Sequence, residues 1–294
     1  HADPFWAFRK DPPWLAATGG RNRLLDTEDR RAKPLQFILR EPPDTVLIGS
    51  SATYRGIDPD RALGAGRAFN FGLSSLTSRE LPTLASLVAS RPEVRHVIVG
   101  LDYFAFTRFS PPVKVSDSLA GAAGRAHHVL TSLLSWRSLE SSATAAVAAT
   151  LEGGAWKRNG FRHTPERGAD LTMREDRAQL DILLPFDPAL VAHLKTALVR
   201  LNGRDIAVYL SPVSGAQRRL LDAKGLARDF SSWRAVMAEA VRGAGARFYD
   251  LADVPDFDDF DPVFGSSHYW FDNLHYKPVV GDWILRQLGR PATG

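Results

Sequence analysis

Apolar positions along the chain fall into two alternating patterns. Short, nearly continuous apolar runs recur at Asp44–Ser50 (DTVLIGS), Ala68–Gly72 (AFNFG), Val94–Leu101 (VRHVIVGL), Asp205–Leu210 (DIAVYL) and Ala246–Leu251 (ARFYDL). Their length and the Gly, Ser or Asp residues that bound them predict buried strands. Between them, apolar residues return at helical spacing over Ala32–Arg40, Ser78–Ser90, Pro188–Leu201, Phe230–Arg242 and Val279–Leu288. Pro42-Pro43 stops the first of these helices, and Pro278 precedes the last. Strands alternating with helices predict βαβ units, and therefore an α/β fold with a mostly parallel sheet covered on both faces. In such sheets the functional residues stand at the carboxyl ends of the strands. Ser50-Ser51, Gly72, Asp102 and Ser211 all fall at such ends.

Two regions depart from this pattern. Residues 1–31 are rich in Pro, Gly, aromatic and charged residues and show little periodicity. They are expected to form an extended arm, either a stalk or a strap packed on the domain. The expected organisation is therefore an N-terminal arm over 1–43 and an α/β domain over 44–294. Residues 105–180 carry small-residue helical patterns at Ala126–Trp136 and Ser138–Leu151, then a Gly-rich polar stretch through Arg167. This region is expected to be a helical insertion or a flexible segment.

Composition narrows the function classes. The 294 residues are 44% apolar and 24% charged, as in ordinary globular proteins. The net charge of +4 is spread among mixed signs, with no basic run that would mark a nucleic-acid surface. Cysteine is absent, which excludes thiol catalysis, a disulfide scaffold and a Cys-based metal site. No apolar stretch reaches the roughly 18 residues of a membrane span. The chain begins at His1 rather than Met, so a fragment or a processed form is expected, with a signal or anchor as the candidate preceding segment.

A serine hydroxyl needs a base, a group that orients the base, and donors for the developing oxyanion. Ser51 follows a buried strand and Gly49, a placement that offers both its hydroxyl and its N–H at the sheet edge. Alone, Gly-Ser-Ser also suits a turn or a helix cap. Asp272-Asn-Leu-His275 can set a carboxylate against Nδ1 and leave Nε2 free for Ser51. His268, seven residues earlier, is the competing base. Tyr269-Trp270-Phe271 can stack on a sugar ring or simply pack the loop. The five Asp of Asp253–Asp261 do not match an EF-hand loop and are expected to be a solvated acidic loop, so no metal is expected. His96 and His127-His128 are expected to be structural or surface residues. Gly64-Ala-Gly66 lacks the context of a nucleotide fingerprint, and no cofactor is expected.

These blocks, in this order, resemble the SGNH hydrolase superfamily, also called GDSL-like esterases. Gly49-Ser50-Ser51 stands for the Gly-Asp-Ser block, Gly72 in Asn70-Phe71-Gly72 for the second-block glycine, and Gly100-Leu101-Asp102-Tyr103 for the Gly-x-Asn-Asp block. Asp272 and His275 match the last block fully. The resemblance implies a flavodoxin-like three-layer sandwich with Ser51, Asp272 and His275 as catalytic residues. The oxyanion hole would draw on the N–H groups of Ser51 and Gly72, and Tyr269 and Trp270 would contact substrate. Asp102 replaces an oxyanion-donating Asn and could donate only when protonated. Gly49-Ser50-Ser51, Gly56-Ile-Asp-Pro59 and Ser211-Pro212 are similar to an envelope-facing bacterial branch. That branch includes the teichoic-acid D-alanine transfer protein and the alginate O-acetylation proteins. It implies acyl transfer on a carbohydrate polymer outside the cytoplasmic membrane, with an N-terminal anchor and a membrane-bound O-acyltransferase as a partner. A degenerate domain that only binds polysaccharide, or serves as a scaffold, is the alternative.

Overall fold

In the computed structural model, the apolar runs form five parallel strands of one sheet. The structure describes residues 3, 5–7, 25–63, 67–111, 114–134, 140, 155–165, 180–257 and 267–289. The strands are β1 (Thr45–Ile48), β2 (Ala68–Asn70), β3 (His96–Leu101), a separate hairpin of β4 (Ala155–Trp156) and β5 (Arg162–His163), then β6 (Asp205–Leu210) and β7 (Arg247–Asp250). The sheet order is β2-β1-β3-β6-β7, with β3 paired to β1 on one side and β6 on the other. Counting only the strands of this sheet, the order is that of flavodoxin-like folds.

Nine helices accompany them: α1 (Leu25–Leu39), α2 (Ser51–Gly56), α3 (Pro59–Leu63), α4 (Leu81–Ala89), α5 (Ala122–Leu134), α6 (Val191–Arg200), α7 (Gly215–Ala223), α8 (Ala227–Gly243) and α9 (Pro278–Gln287) among the described residues. Alternation along the strands divides the core between them. Val46, Ile48, Val97, Val99, Ile206 and Val208 pack with α4, α6 and α8. Leu47, Ile98, Ala207 and Tyr209 face the opposite way and pack with α2 and α9. The result is the expected three-layer sandwich, because a parallel sheet buried on both faces must be covered on both.

Several elements differ from the sequence expectation. Helix α1 starts at Leu25 rather than Ala32, runs through Pro34 and has a non-helical break at Glu28. Its early turns are held by charged contacts rather than an apolar stripe, which is why periodicity does not reveal them. The described part of the arm packs on the domain: Phe5 and Ala7 are buried with Ala32, Leu35, Tyr54 and Trp156. Ser51 opens a six-residue helix capped by Ser50, so of the turn and the helix cap that Gly-Ser-Ser suits, the helix cap is the one formed. Helix α7 was not expected, and α8 begins at Ala227 rather than Phe230. Within 105–180, residues 126–134 of the Ala126–Trp136 pattern lie in α5 and the rest of it lies outside the described residues, and the Gly-rich polar stretch contains the β4–β5 hairpin, turned at Gly160 with φ +84°. Most of the Ser138–Leu151 pattern, Gly64-Ala-Gly66 and the later Asp residues of Asp253–Asp261 lie outside the described residues. Among the described residues, no helix is long and apolar enough to cross a membrane.

Candidate active site

Strand β1 ends at Ile48, and Gly49-Ser50 turns directly into α2. A Cβ on Gly49 would lie 2.1 Å from Thr53 Oγ1, so only glycine lets the chain turn this tightly. Ser50 is the N-cap of α2: its Oγ accepts from the Ala52 N–H at 3.1 Å. Ser51 is therefore the first helical residue, and its N–H has no partner among the described residues, as expected at a helix start.

The His275 loop is built by Asp272. Asp272 Oδ1 accepts from the backbone N–H of Leu274 (2.9 Å) and of His275 (2.7 Å), which closes the turn. The same carboxylate lies 2.7 Å (Oδ2) and 2.9 Å (Oδ1) from His275 Nδ1. The ring's other nitrogen, Nε2, is 2.7 Å from Ser51 Oγ, across 224 residues of sequence. An antiparallel bridge between Trp270 and Tyr276 closes the base of the loop. Ser214, the N-cap of α7, donates to the Asn273 carbonyl at 2.6 Å and so ties the loop to the end of β6.

Asp272 is fully buried. Burial pushes its carboxyl up, but the His275 ring with its hydrogen bond, the Arg55 guanidinium and the Leu274 N–H together outweigh it. They hold the group well below the usual carboxylate range. Arg55 stands one turn beyond Ser51 on α2, with Nη1 3.8 Å from Asp272 Oδ2. Beneath the site, Tyr209 OH lies 3.2 Å from Thr53 Oγ1 and 3.1 Å from Tyr276 OH, a buried hydroxyl chain that joins β6, α2 and the His275 loop.

The turn after β2 packs against the Gly49-Ser50 turn. Asn70 organises it: Nδ2 donates to the carbonyls of Thr53 (3.0 Å) and Ile57 (2.9 Å), and Oδ1 accepts from the Gly72 N–H (3.0 Å). Gly72 was expected to offer its N–H to an oxyanion, but Asn70 Oδ1 already holds that N–H. Asp102 follows β3, flanked by Ser50 after β1 and Ser211 after β6. Burial pushes its carboxyl up to about 6, against the opposing effect of the Ser50 and Ser211 hydroxyls.

Of the expected site residues, the structure brings Ser51, His275 and Asp272 into one line, and Gly72 and Asp102 follow β2 and β3, the two strands that flank β1. His268 is exposed, with its ring against Tyr269 at 4.9 Å, and the histidine that meets Ser51 is His275. Trp270 is 1% exposed and donates through Nε1 to the Phe257 carbonyl, so it is a core residue and cannot stack on a substrate. Tyr269 packs on Phe257 at 4.7 Å and is half-buried. His96 lies 3.1 Å from Asp205, and His128 lies 3.0 Å from the Arg31 carbonyl. Asp253 pairs with Arg218 and Arg234, and no metal-binding group occurs among the described residues. Sequence reasoning missed Arg55 and Asn70. Spacing from Ser51 would have pointed to Arg55 had the short α2 helix been read.

Sheet order and the two covering layers define a flavodoxin-like α/β domain. Among solved structures, the fold is similar to a protein from Streptococcus pneumonia described as a platelet activating factor. The identity is 11%, the TM-score 0.46, and the match covers 90% of this chain and 92% of that one. It is also similar to an inhibitor-bound aryl esterase of M. Smegmatis, with 12% identity, a TM-score of 0.35, and coverage of 84% and 98%. No family model and no curated protein matches the sequence.

Proposed function

We propose that this protein is a serine-dependent acyl-transfer enzyme. The observation that carries the reading is the unbroken line from Ser51 Oγ through His275 to Asp272, with both links at 2.7 Å. As Ser51 Oγ attacks an ester carbonyl, its proton passes to His275 Nε2, and Asp272 stabilises the imidazolium through Nδ1–H. The tetrahedral intermediate collapses, the leaving alkoxide takes the proton from Nε2, and an acyl-enzyme remains. A hydroxyl acceptor or water then attacks the acyl carbon and gives its proton to His275. Ser51 Oγ leaves as the new ester or acid forms and recovers that proton. The Ser51 N–H is the free backbone donor for the oxyanion.

Transfer of an acyl group, acetyl above all, to or from an envelope or exopolysaccharide hydroxyl is the finer reading. It rests on the sequence resemblance to the envelope-facing branch. That resemblance also supports an extracytoplasmic location, an N-terminal anchor and a membrane-bound O-acyltransferase partner. Reaction with a fluorophosphonate and turnover of p-nitrophenyl acetate, both lost in Ser51→Ala, test the core reading. Absence of a Ser51 adduct in the wild type would sink it.

The turns after β2 and β3 favour a second reading. Asp102 replaces a neutral donor, and Asn70 holds the Gly72 N–H. A domain that binds polysaccharide without turnover, or acts as a scaffold for a membrane acyltransferase, fits those turns. Polysaccharide binding that survives in Ser51→Ala, with no ester turnover in the wild type, would favour it.

A further inference from the structure

Lys33 on α1 is completely buried. Its ammonium donates to three backbone carbonyls: Asn70 at 3.0 Å, Gly72 at 2.5 Å and Gly160 at 3.1 Å. It also lies over the rings of Tyr54 (4.9 Å) and Trp156 (4.5 Å). The three N–H donors of the protonated amine all have acceptors, and the two ring faces and Asp29 favour the charge, while burial lowers the amine's pKa to about 7. The contacts come from every element around the turn: Tyr54 from α2, Asn70 and Gly72 from the turn after β2, Trp156 and Gly160 from the β4–β5 hairpin.

Lys33 does not act alone. Asp29, one helical turn earlier, accepts from the Ser74 N–H at 2.6 Å. Arg30 donates to the Ser75 carbonyl at 3.4 Å and to Glu80 at 3.0 Å. Ser75 itself has φ +49°, a left-handed conformation that a non-glycine residue holds only when its surroundings determine it. One face of α1 therefore grips a single loop, residues 70–75, by its backbone.

We propose that Lys33 is a positioning residue for acyl transfer, whose ammonium holds the Asn70–Gly72 turn in register with Ser51. The peptide planes on both sides of Gly72 are held, one through its N–H by Asn70 and the other through its carbonyl by Lys33. Gly72 backs onto the nucleophile's own turn: a Cβ there would stand 2.9 Å from the Ser50 carbonyl, and Leu73 N–H donates to the Gly49 carbonyl at 2.9 Å. A shift of the turn is thus passed to Ser50-Ser51. Stability alone would be served as well by an apolar side chain of this length, since a buried ammonium carries a desolvation cost that an apolar group avoids. What Lys33 supplies is direction, three fixed bonds to two separate segments.

The inference rests on the acyl-transfer reading, and the test separates the two. Lys33→Met keeps the length and the ring packing. With p-nitrophenyl acetate, kcat should fall roughly 10- to 100-fold while KM stays within about threefold, as a small misplacement of catalytic groups does. Leu198→Ala, a core truncation in α6, should lower the melting temperature and leave kcat near wild type. Wild-type kcat in Lys33→Met overturns the proposal, and so does an equal kcat loss in Leu198→Ala. Should Lys33→Met not fold, Asp29→Ala removes the Ser74 anchor from the same grip, and an unchanged kcat there overturns it. Should the wild type show neither turnover nor fluorophosphonate labelling, the acyl-transfer reading fails. Amide exchange then decides on the grip itself: faster exchange at Gly72 and Leu73 in the variant supports it, and unchanged protection overturns it.

Discussion

The two sides of Ser51 are built differently. On the base side, Asp272, His275 and Ser51 are already joined at hydrogen-bond distance, and each ring nitrogen of His275 has its partner. On the side proposed for the oxyanion, the Gly72 N–H is held by Asn70, and Asp102 carries a buried carboxyl raised to about 6. The contrast teaches that activating the nucleophile and stabilising the oxyanion are separable tasks. The first needs one short loop to reach one serine. The second needs several backbone and side-chain groups from different strand ends to converge on one point, and here the turn after β2 is tied by α1 and the hairpin.

The comparison can be broken most sharply at the base side. Ser51→Ala should lower ester turnover by roughly 10³-fold or more while leaving the circular dichroism spectrum unchanged. Activity close to wild type would remove the base side from the mechanism. Asp272→Asn should lower kcat by about 10³- to 10⁴-fold, because the imidazole loses the carboxylate that sets its tautomer. Steady-state kinetics with a small aryl ester reads both.

The oxyanion side is tested by Asp102→Asn, through stability as well as rate. The Asp102 carboxyl is raised from 3.8 to about 6 in the folded protein. Between those values the folded state binds more protons than the unfolded one, so the contribution of Asp102 to stability falls as pH rises through this window. Above it, the ionised group costs on the order of 2–3 kcal/mol. Asp102→Asn should therefore raise the melting temperature at pH 7.5 and leave it nearly unchanged at pH 4, as thermal unfolding at both values will show. If this side limits the rate, kcat at pH 7.5 rises as well, and an unchanged kcat puts the limit elsewhere.

Two smaller effects concern the scaffold under each side. Gly281 on α9 packs on the Gly56 carbonyl of α2, where a Cβ would lie 1.9 Å away. Gly281→Ala should cost about 1–3 kcal/mol in denaturant unfolding by separating the nucleophile's helix from the helix that follows His275. Ser50→Ala removes the α2 cap and should cost about 1 kcal/mol in the same measurement. A larger loss in Ser50→Ala at pH 7.5 than at pH 5 would show that the Ser50 hydroxyl also steadies the ionised Asp102.

Much of the fold was legible. The five strands and the helices α4, α6, α8 and α9 follow from apolar period alone, because burial on both faces of a parallel sheet leaves a strong signal. The Asp272–His275 turn was also legible, since one carboxylate makes both the turn and the contact to Nδ1 within four residues. The first turns of α1, the hairpin and the contacts that hold the Asn70–Gly72 turn were not. Their contacts are made by Lys33, Asp29, Arg30 and Asn70 to backbone carbonyls and N–H groups, and backbone acceptors look the same at every position of a sequence. Trp270 shows the converse error: an aromatic beside the triad suggested a substrate platform, and packing with Val280 and Tyr276 made it core.

By itself, the sequence determined the α/β class, the strand ends and the Asp272–His275 turn, because period and local turn chemistry are short-range properties. Only the tertiary structure decided that Nε2 of His275 meets Ser51 at 2.7 Å, that Gly72 is already held, and that Lys33 lies buried among three segments. Those outcomes depend on how distant segments share the carboxyl edge of one sheet, and no local pattern encodes that.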